Sequence, residues 1–147
     1  MRLKTGKVDR IMVLRILLVC AGFGWVISVF GVFMPWSFVA KQLTELGAQN
    51  LPNDPMLNYW LRMTAGAFSF IGLAFFALSL RPQAYLPVIR FAAVFLIVEG
   101  VILGTAGLVL ELFPIPYCVD SSFCLVIGIG ILLSARNNML EKRDQGS

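Results

Sequence analysis

Histidine is absent from this chain, and cysteine is scarce: Cys20, Cys118 and Cys124 are the three in 147 residues. The first absence removes the usual proton relay near neutral pH. The second leaves neither a closely spaced reactive pair nor a resolving pair, both of which a quinone-coupled thiol oxidoreductase with four spans would need. Charge is thin as well, with Asp, Glu, Lys and Arg together making 14%. Low-complexity tracts and internal repeats are missing. No spacing marks a catalytic centre, a metal site or a cofactor cradle, so the expectation is a protein that is not an enzyme and carries no cofactor.

What the sequence does have is apolar length. Hydrophobic residues make 59% of the chain and the mean hydropathy is +0.83, more apolar surface than a soluble core of this size can hide. Four stretches approach the ~20 apolar residues that cross a bilayer. They run over about 11–33, 63–80, 91–113 and 117–135. The fourth is long enough only if its helix begins near Tyr117 and carries Asp120, Ser121 and Ser122 into the outer interface. The fold class expected is therefore an all-α integral membrane protein, one domain over 1–147, with four transmembrane helices in an antiparallel bundle.

Positive charge sorts to one side. Arg2, Lys4, Lys7, Arg10 and Arg15 open the chain, Arg81 and Arg90 bound the connection after the second stretch, and Arg136, Lys142 and Arg143 follow the fourth. Lys41 and Arg62 alone fall opposite. Ten against two is the bias that holds loops in the cytoplasm, so both termini are expected there. Basic residues that flank apolar runs, without forming a stripe, exclude nucleic acid. The partner implied is the lipid bilayer, with a membrane-protein partner or a second copy of the chain as candidates. The first stretch is read as an uncleaved anchor, because Val19 stands before Cys20 where a lipoprotein site needs a small residue and the apolar run continues well beyond it.

The long outer connection, 34–60, carries Trp36, Val39, Leu43 and Leu46 at helical spacing, with Pro35 suited to a first turn and Gly47 to an end. A short amphipathic helix in this first outer loop is expected, with Trp36, Tyr59 and Trp60 as interfacial anchors. The inner connection 81–90 reads as a tight turn, and the tail from Arg136 as polar and frayed. Small residues line the second stretch (Ala65, Gly66, Ser69, Gly72) and the third (Gly100, Gly104, Gly107), and these two stripes are expected to face one another.

Glu99 sits inside the apolar run FLIVEGVILGTAGL. A start near Phe91 places it about 12 Å into the third span, level with Ser69 of the second at about 16 Å. A carboxylate at such depth is costly when ionised, so it is expected to face the other helices and to bond a partner such as Ser69. Two readings stay open: a neutral structural acid, or a carboxylate used in proton-coupled transport or cation binding. At the outer end Arg62, Glu111 and Asp120 fall at about 27, 30 and 22 Å on their spans and are expected to meet. They would tie helix ends together or, roofed by Trp36, Asn58 and Tyr59, hold a small polar ligand or lipid headgroup. Cys118 and Cys124 share the outer face and form a possible disulfide pair, an alternative that competes with an early start of the fourth helix. Cys20 is expected to be buried and isolated.

The pieces NYWLRMTAGAFSFIGLAFFALSLRP, LIVEGVILGTAGL and FCLVIGIGILL, with RMTAG and VEG the most recognisable, resemble a family of small, uncharacterised four-span bacterial inner-membrane proteins over residues 58–133. The resemblance implies the fold and a place in the bacterial inner membrane, and it brings no activity or catalytic residue. The function expected is a polytopic accessory or partner-binding protein; the alternative is a small transporter or channel-like protein that uses Glu99.

Overall fold

A computed structural model of the chain describes residues 3–49 and 51–144, with side chains over 11–49 and 51–135. Among the described residues the secondary structure is all helical: α1 (Leu3–Val26), α2 (Val29–Phe33), α3 (Trp36–Glu45), α4 (Pro55–Leu80), α5 (Leu86–Val109) and α6 (Pro114–Asp144). Four stretches are long and apolar enough to cross a membrane: Ile11–Phe33, which joins α1 and α2, then Pro55–Leu80, Leu86–Val109 and Pro114–Ala135. Three of these differ at their starts from the boundaries read off hydropathy, and proline is the reason. Pro55, Pro87 and Pro114 stand in first turns, where a missing N–H costs nothing and the fixed φ already suits a helix. Asp54 adds a cap, its carboxylate accepting from Met56 N at 2.8 Å. The helical backbone of α6 reaches Asp144, through most of the tail expected to fray, while residues 145–147 and the side chains of the other terminal basic residues lie outside the described set.

The first span is not one helix. At Ile27 and Ser28 the ladder tightens: Ser28 N–H donates to Trp25 O at 3.2 Å and Gly31 N–H to Ser28 O at 2.8 Å, both from three residues back. Such a shortened stretch inside a span is tolerated where the backbone lines a cavity. Two other ends close as Schellman motifs. After α3, Gly47 at φ 101 donates to Thr44 O and Ala48 to Leu43 O. After α5 the same pair of bonds runs from Glu111 to Leu108 O and from Leu112 to Gly107 O, with Glu111 at φ 50 in the place glycine usually holds.

The spans pack in the order α4, α1, α6, α5, with α2 also on α4, while α4 and α5 scarcely touch. Glycine sets the close seams. A Cβ on Gly72 of α4 would stand 2.8 Å from Gly22 O and 2.9 Å from Val26 Cα, both backbone atoms of α1. A Cβ on Gly100 of α5 would meet Leu125 Cγ at 2.9 Å and Ser121 O at 3.1 Å on α6, and one on Gly107 would strike the Tyr117 ring. This overturns the expectation that the two small-residue stripes face each other: each is used on a different neighbour. The buried core, including Leu14, Leu18, Ile89, Leu96, Ile127 and Ile131, lies in the half that holds the start of α1 and the end of the last span.

Candidate functional site

With α5 starting at Leu86, Glu99 lies about 20 Å along that span and about 15 Å from its end, so it is near the middle and deeper than the sequence alone suggested. The side chain is half-buried, and no hydrogen bond or ion pair reaches it among the described residues. Ser69 is not its partner. Buried on α4, Ser69 donates back to Ala65 O at 2.7 Å within its own helix. The reason is the packing order: α4 turns this face toward α1 and α2, away from α5.

Glu99 instead lines two cavities. One, about 190 Å³ and partly open, is lined by Gly24, Trp25 and Ser28 at the break of the first span, by Phe68, and by Leu103, Asp120, Phe123 and Cys124, of which Asp120 is exposed. It has room for several water molecules. The other, about 430 Å³, is the unfilled seam between α4 and α5, walled by such residues as Ile71, Phe75 and Leu78 opposite Val88, Phe91 and Phe95. Trp25, Phe68 and Glu99 belong to both and form the partition between them. The Trp25 and Phe68 rings meet edge to face at 4.8 Å. The indole N–H of Trp25 is buried with no hydrogen-bond partner among the described residues. The arrangement therefore offers a free carboxylate and a free donor at one level, with a second carboxylate, Asp120, on the wall of the smaller cavity.

The expected outer triad does not form. Arg62 donates to Asn58 Oδ1 at 2.9 Å, to Met34 O at 3.1 Å and to Val32 O. These carbonyls close the short helix α2, whose last acceptors have no further turn to pair with. Glu111 is exposed in the turn after α5, and Asp120 faces the cavity shared with Glu99. The one ion pair among the described residues is Lys41 with Glu45, at 4.0 Å on exposed α3. Cys118 and Cys124 are both free, the first exposed and the second buried. Both belong to α6, where six residues of rise, about 9 Å, separate them beyond disulfide reach. Cys20 is exposed, which corrects the expectation that it is buried.

Trp25, Ser28 and Phe68 at the site, and Ser121 beside it, were not read from the sequence as site residues. Ser28 had a signal, a hydroxyl inside an otherwise apolar span. Ser121 donates to Gly100 O at 2.7 Å and pins α6 to α5 one residue from Glu99. The aromatic pair gave none, since Trp and Phe are ordinary in such a run. No protein-family model, curated protein or solved structure matches the chain.

Proposed function

We propose that this chain is a multi-pass protein of the bacterial inner membrane, of the four-span kind its sequence resembles, and that it works by binding a lipophilic cation at Glu99 in the manner of a small transporter. In this reading the four spans form an antiparallel bundle with both termini in the cytoplasm, and α3 lies as an amphipathic helix on the outer surface. The ligand enters sideways between α4 and α5. Its apolar part fills the larger cavity and its positive charge faces Glu99, with Asp120 beyond the partition. The protein binds and releases; it catalyses no reaction and holds no cofactor.

The observation that carries this is a mid-span carboxylate with no hydrogen-bond or ion-pair partner among the described residues, on the wall of two cavities. A dry, glycine-packed neighbourhood would have favoured a purely structural acid. Ligand pockets of about 300–1,000 Å³ with apolar walls and few polar groups are the common form of a small-molecule site. Among the described residues neither lining holds a lysine or arginine, so charge complementarity selects a cation, and Trp25, Phe68, Phe91, Phe95 and Phe123 supply ring faces for it.

The test uses an ion pair of equal shape and opposite charge. With Trp36 and Trp60 changed to Phe, Trp25 remains as the fluorophore. In nanodiscs tetraphenylphosphonium should quench it saturably and tetraphenylborate should not, and Glu99→Gln should weaken the phosphonium by about tenfold or more. Equal quenching by both ions, or unchanged affinity in the variant, overturns the reading. A second reading, an accessory protein whose α4–α5 seam receives a helix of another membrane protein or of a second copy, is favoured by that unpaired seam. It is the one supported if neither ion binds. Topology is tested by reporter fusions: those at Gln83 and after Ser147 should report cytoplasm and one at Gln49 the periplasm.

A further inference from the structure

A separate pocket of about 580 Å³ lies between the start of the first span and the turn that joins α4 to α5, lined by Ile11, Met12 and Arg15 on one side and Leu80–Ala84 on the other. Two of these residues are arginines, and no acidic side chain lines it among the described residues. Arg15 uses one N–H on Leu80 O, at a long 3.4 Å. The Arg81 side chain makes no hydrogen bond or ion pair among the described residues, so nearly all the donors of the two guanidinium groups have no partner there. Pro82, fully buried beneath the turn, fixes the chain that presents Arg81 and Gln83. Arg15 sits only about 6 Å above Ile11 and is level with the last residue of α4, so the pocket opens at the edge of the apolar belt.

We propose that this pocket binds the phosphate of an anionic phospholipid from the leaflet at that end, with Arg15 and Arg81 as its ligands. Guanidinium forks match phosphate oxygens, and basic pockets between spans at a membrane edge suit anionic headgroups. The lipid is the source, and free phosphate is not, because Ile11, Met12 and Leu80 continue the pocket wall into apolar surface where acyl chains already lie. Leu80 and Met12 are exposed there.

The test is native mass spectrometry of the full chain in detergent, titrated with phosphatidylglycerol and with phosphatidylcholine. The wild type should hold phosphatidylglycerol saturably and selectively. Arg81→Gln, which removes no side-chain hydrogen bond or ion pair among the described residues, should lose about fivefold in that selectivity, and Arg15→Gln with Arg81→Gln about thirtyfold. Replacing Lys142 and Arg143 by Gln lowers the net charge equally and should leave the selectivity intact. Arg15→Lys, which keeps the charge but not the fork, should retain part of it if the double variant fails to fold. Equal loss in the tail variant, or no loss in Arg81→Gln, overturns the site. Displacement of the lipid by an equal concentration of inorganic phosphate overturns the lipid as its source.

Discussion

The seam between α5 and α6 and the seam between α4 and α5 share one helix and end up opposite in character. The first is closed: Gly100, Gly104, Gly107 and Gly128 let the backbones approach, and Ser121 bonds Gly100 O across the gap. The second brings mostly large side chains together, Phe68, Ile71, Phe75 and Leu78 against Val88, Phe91 and Phe95 with Ala74 and Ala92 between them, and a cavity remains. Each of α4 and α5 has one small-residue face, and each has already used it, α4 on α1 and α5 on α6. What is left to meet between them cannot approach. In the membrane setting proposed above no hydrophobic force would collapse the gap, since acyl chains would fill it as well as leucine does. In that setting an open seam beside closed ones is stable, and Glu99 lies on the wall that it leaves open.

That contrast is tested most strongly on the closed side. Gly72→Ala places a methyl against backbone atoms of α1 that have nowhere to go, and should cost about 1–3 kcal/mol in detergent unfolding. A loss under a few tenths would mean that the α1–α4 seam is looser than described. Ser121→Ala removes the bond to Gly100 O, and bonds between spans are worth about 0.6 kcal/mol, so a loss of that order is expected in the same assay.

The open side should respond in function and hardly at all in stability. Glu99→Leu strands no hydrogen-bond partner among the described residues, so stability should stay within about 0.5 kcal/mol of the wild type while cation binding disappears. A loss of about 1–3 kcal/mol would instead reveal a partner left unsatisfied. Smallest of all is Ala74→Leu, which fills part of the seam from its wall. Unfolding should be unchanged, and tetraphenylphosphonium should quench Trp25 less tightly. A clear gain in stability with no change in quenching would make the cavity a mere packing gap.

One assumption accounts for most of the misplaced expectations. Consecutive helices joined by a short turn usually pair, and matching heights on helices so paired set Ser69 against Glu99, one small-residue stripe against the other, and Arg62 against Glu111 and Asp120. The turn at Pro82 does join α4 to α5, yet α4 packs on α1 and α2. Each of these side chains consequently has a neighbour on a different seam: Ser69 its own helix, Gly72 the backbone of α1, Arg62 the carbonyls that end α2. The fourth span is the opposite case. Its early start followed from the length a bilayer demands, and the helix begins earlier still, at Pro114, which separates Cys118 from Cys124.

Local properties were open to reading from the chain alone. Helicity, four apolar stretches of spanning length and a carboxylate inside one of them depend on composition and period over some twenty neighbouring residues. The sorting of arginine and lysine is equally plain in one dimension, as an expectation of orientation. Which span lies against which was decided only in three dimensions. A glycine accepts any neighbour that comes close, so a small-residue stripe announces a contact without naming its partner; shape alone selects it, Gly72 on Gly22 and Gly100 on Leu125. From that choice follow the open seam and the meeting of Glu99 with Trp25 and Asp120 around one cavity.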